Sequence, residues 1–231
     1  MVNKFERIPS GILGLDEMCQ GGFEKNSAVL VSGGGGSGKT IFALQFLLEG
    51  IKNGETGIYI SFEERKDKFY RHMLQFGWDL EKFENQGKFV FITYTPEEMA
   101  KLVDEGGKSL KKDLKDLNAK RIVIDSLSAF AVLFDRESDQ RKNLVALFEM
   151  IADWDATTVV IAEVDEIPER HRSTIMGFMA DAIIKLYMVR KRDTMSRGLE
   201  IFKMRGTKHY TSTRTYVITD KGIKLSREGY A

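Results

Sequence analysis

Cysteine is almost missing from this chain. Cys19 is the only one in 231 residues, which excludes an intrachain disulfide and a cysteine-based zinc cluster and favours a reducing, cytoplasmic setting. Proline is scarce too, with only Pro9, Pro96 and Pro168. No segment is low in complexity and no repeat recurs at solenoid or propeller periods. Nothing therefore marks a linker, and residues 1–231 are expected to form a single domain. No apolar run approaches the ~18 residues of a membrane span, and the start Met1 to Arg7 lacks the apolar core of a signal peptide. A dominant charge is also lacking: 35 Lys and Arg face 34 Asp and Glu, for a net charge of +1. That balance excludes a uniformly basic nucleic-acid coat or an acidic tail protein. What remains, 42% hydrophobic and 30% charged residues, is the composition of a chain that builds a sizeable core.

Short β-rich apolar runs alternate with longer helix-like stretches, the pattern of crossover units in a mostly parallel sheet. Ser27 to Ser32, Gly57 to Phe62, Phe89 to Thr93, Arg121 to Asp125 and Thr157 to Ala162 read as buried strands, because several are apolar without strict alternation. Thr40 to Ile51 and Asn143 to Trp154 carry apolar residues at helical spacing. Met99 to Leu117 does so as well, but Gly106-Gly107 in its middle predicts a break. Arg136 to Gln140 and Pro168 to Thr174 read as loops. From about Ala182 onward, runs at Ile183 to Val189, Leu199 to Met204, Arg214 to Thr219 and Gly222 to Leu225 predict an antiparallel extension at the sheet edge. The expected class is α/β, a mostly parallel central sheet flanked by helices with C-terminal antiparallel strands.

The strongest motif is Gly33-Gly34-Gly35-Gly36-Ser37-Gly38-Lys39-Thr40, which satisfies G-x-x-x-x-G-K-[ST] between a predicted strand and a predicted helix. Glycine lets successive N–H groups curl round a phosphate while the helix N-terminus adds its dipole. Lys39 reaches the outer phosphates, and the Thr40 hydroxyl can ligate a Mg²⁺ that bridges them. A metal there needs an acidic partner at a neighbouring strand end, and Ile122-Val123-Ile124 delivers Asp125 to such an end. For hydrolysis, Glu63 and Glu64 follow the strand Gly57 to Ser61 and place two carboxylates where one can polarise a water. The same pair equally suits the acidic first turn of a helix.

Taken together these residues resemble the KaiC-like ATPases of the RecA and RadA superfamily. The stretch Ile8-Pro9-Ser10-Gly11, Leu15-Asp16-Glu17 and Gly21-Gly22-Phe23 is similar to that family's entry into its ATPase domain. The family's paired glutamates match Glu63-Glu64, its acidic strand end matches Ile122 to Ser126, and its Lys-Met-Arg element matches Lys203-Met204-Arg205. The resemblance covers about Ile8 to Leu225. It implies a RecA-like P-loop NTPase fold, ATP and Mg²⁺ as ligands, glutamates acting on the attacking water, and Lys203 and Arg205 reaching the γ-phosphate of ATP on an adjacent subunit. That last role makes the active form a homo-oligomer, a hexameric ring. The expected activity is slow ATP hydrolysis that drives a switch acting on a protein partner. Two departures stand out: four glycines occupy loop positions where the family usually has Pro and Thr, and Ser173 and Thr174 lie off the register at which the circadian-clock member is phosphorylated, so self-phosphorylation is not expected.

Read on their own, Lys203 and Arg205 lie two apart and share one face of a strand, which fits either a triphosphate across an interface or a solvated edge. Between Lys185 and Arg214 nine basic residues stand against Asp193 and Glu200. Such a patch is compatible with a second function, a RecA/RadA-like ATPase on single-stranded DNA, although aromatic stacking platforms are not evident in it.

Overall fold

A computed structural model describes residues 6–164, 175–191 and 194–229. The segment Pro168 to Thr174, with Ser173 and Thr174, and the pair Arg192 and Asp193 lie outside the described residues. The chain opens with a two-residue strand β1 (Arg7–Ile8) paired antiparallel to β2 (Phe23–Glu24). Next come β3 (Ala28–Gly33), α1 (Lys39–Lys52), β4 (Thr56–Ser61), α2 (Lys66–Leu74), α3 (Leu80–Asn85) and β5 (Phe89–Thr93). Helices α4 (Pro96–Asp104) and α5 (Lys108–Asp116) lead to β6 (Ala119–Asp125), and α6 (Leu127–Val132) and α7 (Glu137–Ala152) lead to β7 (Thr157–Glu163). The chain then forms α8 (Ile175–Met179), β8 (Ala182–Lys191), β9 (Thr194–Met204), β10 (Arg214–Thr219) and β11 (Gly222–Gly229).

Nine strands form one sheet in the order β11-β10-β9-β8-β3-β7-β6-β4-β5. Strands β8, β3, β7, β6, β4 and β5 run parallel, so their carboxyl ends open at a common edge. Strands β9, β10 and β11 follow as an antiparallel meander. Alternate residues of each strand feed opposite faces. Val29, Val31, Tyr59, Val123, Val159 and Ile161 pack with Phe42, Phe46 and Leu47 of α1 and with Phe69 of α2. Leu30, Ile58, Ile60, Ile122, Ile124 and Val160 pack with Met99, Leu110, Phe130 and Leu147 on the other side. Helices thus cover both faces, as parallel strands require. Among the described residues no helix is long and apolar enough to cross a membrane.

The α/β class and the parallel sheet with an antiparallel C-terminal part agree with expectation, as does the break between α4 and α5, where Gly106 and Gly107 both take positive φ. Two expectations are corrected. Arg136 to Gln140 is not a loop: α7 starts at Glu137 and carries Glu137 and Asp139 in its first turn, where acids complement the helix dipole and charge does not signal a loop. Second, β8, from Ala182, does not belong to the antiparallel extension alone: it pairs antiparallel with β9 on one side and parallel on the other. Strand β8 pairs parallel with β3 from Val29 opposite Ala182 to Gly33 opposite Leu186, because the long connection after β7 allows the chain to return to the starting edge before pairing.

One buried cation ties the sheet to its surroundings. Arg121 of β6 is 1% exposed. Its Nε donates to Glu55, and one Nη donates to the carbonyls of Pro9 at 2.7 Å and Phe46 at 2.9 Å. The guanidinium carbon also lies 4.7 Å from the Phe46 ring centroid. It therefore joins the N-terminal strap, α1 and the start of β4, and it needs Gly50 on α1, since a Cβ there would sit 2.5 Å from its Cδ. Replacing Arg121 by Ala is expected to destabilise the fold by about 3 kcal/mol, because Glu55 and two carbonyls lose their donor. Urea unfolding checks this, and Glu55→Gln, whose amide oxygen still accepts, is expected to lose less.

Candidate functional site

Strand β3 ends at Gly33, where even a Cβ would come within 2.5 Å of the Leu186 carbonyl oxygen, so only glycine lets the chain leave the sheet between β7 and β8. The loop turns through Gly36 at φ +75° and Gly38 at φ +93° before α1 starts at Lys39. Among the described residues the amides of Gly35, Gly36 and Gly38 donate to no acceptor. The first-turn amides of α1 lack partners within the helix by geometry. Free N–H groups are therefore gathered along this loop and the first turn of α1, the groups that a polyphosphate site uses. Lys39 Nζ donates to the Gly34 carbonyl at 2.9 Å. Burial lowers its pKa from the ordinary lysine value, against the pull of the carboxylates of Glu163 and Asp125.

Strand β7 separates β3 from β6, and Asp125 ends β6 at the same sheet edge as the glycine loop. The Thr40 hydroxyl donates to Asp125 Oδ2 at 3.2 Å, and the Tyr59 hydroxyl of β4 donates to the same oxygen. Burial raises the Asp125 carboxyl above its ordinary pKa; hydrogen bonds from Tyr59 and Thr40 and the charge of Lys39 oppose this, while Glu63 adds to it. Tyr59 is buried against Phe69 and stacked on Phe91 with centroids 5.6 Å apart, so its hydroxyl is a fixed donor. The Thr40 hydroxyl and the Asp125 carboxylate form an all-oxygen pair beside the amide cradle, a donor set suited to a hard cation such as Mg²⁺.

Glu63 and Glu64 lie in the loop between β4 and α2 rather than in a first helical turn, since α2 begins at Lys66. The Ser61 hydroxyl holds that loop by accepting from the Glu64 amide at 3.0 Å. The two carboxylates differ in setting. Glu64 is half-buried and sits 3.3 Å from His72 Nδ1, whereas Glu63 is exposed and makes no ion pair among the described residues. A third carboxylate, Glu163, was not singled out by sequence reasoning. It ends β7, opposite Gly33, and its Oε1 lies 3.3 Å from where a Gly35 Cβ would be. The signal for it is the end of the strand between the glycine loop and Asp125, but that signal exists only once the strand order is known.

Lys203 and Arg205 stand elsewhere. Met204 pairs with Ala182, the first residue of β8, which in turn lies beside Val29 at the start of β3. At ~3.3 Å per residue this puts them about 15 Å from the glycine loop along the sheet, at its opposite edge. Lys203 Nζ donates to the carbonyls of Ala180 at 2.7 Å and Gly177 at 3.1 Å, and Arg205 donates to the Phe178 carbonyl at 2.9 Å and to Asp181 at 3.3 Å. Both cations thus gather at the end of α8, and burial with the nearby Arg205 charge lowers the Lys203 pKa.

The family model of the KaiC ATPase matches residues 8–230. A UPF0273 protein of Pyrococcus horikoshii, PH0284, is 33% identical over 94% of this chain and 92% of its own length. Circadian clock protein KaiC3 of Synechocystis is 33% identical over 95% of this chain, which corresponds to 45% of the relative. Among solved structures, the KaiC-like protein PH0186 of Pyrococcus horikoshii is 34% identical and superposes with a TM-score of 0.85 over 96% of this chain and all of that one. With a glycine loop, an acidic strand end and a sheet of matching architecture, this chain belongs to the KaiC ATPase family, on a RecA-like P-loop NTPase fold.

Proposed function

We propose that this protein binds Mg-ATP in the cradle at the carboxyl edge of β3 and hydrolyses it slowly to ADP and phosphate, as a hexameric ring whose sites are completed between subunits. Family membership supports ATP binding and ATPase-type chemistry. The observation that carries the finer reading is the meeting of Thr40 and Asp125 beside unpaired amides. In this reading Gly33, Gly34, Gly35, Gly36, Ser37 and Gly38 wrap the phosphates, and Lys39 leaves the Gly34 carbonyl to bind them. Thr40 and Asp125 would hold the Mg²⁺, which when bound neutralises charge developing on the phosphates. Glu63, the exposed carboxylate, accepts a hydrogen bond from the attacking water, and Glu64, tied to His72, orients the loop that presents it.

Lys203 and Arg205 sit at the far edge of their own sheet, so a role for them at a γ-phosphate belongs to the ATP of a neighbouring subunit. Each chain then offers a cradle at one edge and a pair of cations at the other, a head-to-tail arrangement that closes into a ring. Coupled to turnover, such a ring serves as an energy-driven switch for a protein partner. Single-stranded DNA is the weaker reading. Within the basic segment Lys185 is buried, 4.3 Å from the Phe202 ring centroid, and Lys203 and Arg205 are occupied by the α8 carbonyls. These cations are not presented along a groove.

Three outcomes are expected. Lys39→Ala abolishes ATP binding by calorimetry, and retained tight affinity would refute the cradle. Glu63→Gln leaves binding intact and lowers turnover roughly a hundredfold or more, while Glu64→Gln lowers it less; equal rates for the parent and Glu63→Gln would remove Glu63 from the chemistry. Mixing Arg205→Ala with Lys39→Ala subunits restores part of the activity that each lacks alone, with mixed assemblies verified by native mass spectrometry, and absence of recovery in such assemblies contradicts the interface role.

A further inference from the structure

The C-terminal hairpin reaches the phosphate cradle through one hydroxyl. Tyr216 of β10 is 3% exposed, and its hydroxyl donates to the backbone carbonyl of Ser37 inside the glycine loop. Among the described residues this is the only hydrogen bond that reaches Gly35 to Gly38 from outside the loop and the helix it starts. The Ser37 side chain does not share the task, since its own hydroxyl has no partner. The hairpin's apolar side chains close on the same spot: Ile218 and Ile223 lie 2.9 and 3.5 Å from where a Gly38 Cβ would be. Gln45 of α1 holds the hairpin through the backbone of that same Ile223, accepting from its amide at 2.6 Å and donating to its carbonyl at 3.2 Å.

The Ser37 carbonyl and the Gly38 N–H belong to one planar trans peptide, in which C=O and N–H point in opposite directions. Whatever holds the carbonyl inward therefore aims the amide outward. A loop with four consecutive glycines has no side chains of its own to choose that orientation, and glycine leaves the largest backbone freedom to be lost on ordering. Burial raises the Tyr216 phenol above its usual pKa, so it stays protonated and remains a donor.

We propose that Tyr216 is a positioning residue for the phosphate cradle: by holding the Ser37 carbonyl it orients the Gly38 amide toward the nucleotide and makes hairpin β10–β11 part of the site's support. This rests on the reading of the glycine loop as a nucleotide site. Because linkage is reciprocal, nucleotide bound at the loop should in turn tighten the hairpin.

The test is Tyr216→Phe, which removes one oxygen and keeps the buried ring. Calorimetry with ADP, at a temperature where both proteins are fully folded, should give a Kd about three- to tenfold weaker than the parent, the span of one net hydrogen bond. Val217→Ala, on the same strand but exposed and away from the loop, should leave the Kd unchanged. Hydrogen exchange supplies a second readout: saturating ADP should slow exchange of the Tyr216 to Ile223 amides in the parent and do so markedly less in Tyr216→Phe. A merely structural phenol would lower the melting temperature and move neither. A Kd within 1.5-fold of the parent together with unchanged protection overturns the proposal, whereas a parent chain that binds no ADP overturns the nucleotide reading and the proposal with it. Should Tyr216→Phe not fold, Gln45→Leu, which cuts the hairpin's bonds to α1 without touching the loop, must show the same loss of affinity and of coupled protection, and parent-like values would refute the coupling.

Discussion

A loop made of glycine has to be shaped from outside. Its free amides are useful to a phosphate only if they point the same way, and nothing within Gly33 to Gly36 imposes that direction. The rest of the structure supplies it. The Leu186 carbonyl of β8 limits Gly33 to a hydrogen, Gly36 and Gly38 turn the chain through positive φ, and Tyr216 holds the Ser37 carbonyl. Helix α1 presents its first turn at the end of this path. The C-terminal meander, which looks like a decorative edge in the sequence, is thus packed against the glycine loop.

Sheet polarity governs the next level. Parallel strands bring their carboxyl ends to one edge, so residues from β3, β4, β6 and β7 that are distant in sequence, namely the glycine loop, Glu63, Asp125 and Glu163, are collected there. Burial pushes the Asp125 carboxyl toward its neutral form, and the hydrogen bonds from Tyr59 and Thr40, with the charge of Lys39, oppose it. The same polarity sends the end of β9, with Lys203 and Arg205, to the other edge. One chain therefore carries the glycine loop and this cation pair at opposite ends of its parallel strands.

Arg121 and the Lys203–Arg205 pair show how context sets the role of a charge. Arg121 reads in sequence as the polar start of a strand, yet it is enclosed, with its Nε and one Nη held by Glu55 and two backbone carbonyls, which makes it a structural bolt. Lys203 at the end of β9 and Arg205 just beyond it instead grip the carbonyls at the end of α8. Guanidinium and ammonium groups do either according to the acceptors that surround them.

Local signals in the sequence determined the α/β class, most strand and helix positions, the glycine loop with Lys39 and Thr40, and Asp125 at a strand end, because each rests on a pattern of neighbouring residues: apolar runs, helical spacing, glycines before a Lys-Thr pair. They also located Glu63-Glu64 and the Lys203-Arg205 pair as sets. Only the tertiary structure decided that Glu63 stands free while Glu64 faces His72, that β8 joins the parallel part of the sheet, that Tyr59, Glu163 and Tyr216 surround the loop, and that Lys203 and Arg205 point away from it. Strand order and direction are set by long-range pairing and by connections whose path leaves no periodic trace in the residues, so partners that meet across the sheet are invisible until it is assembled.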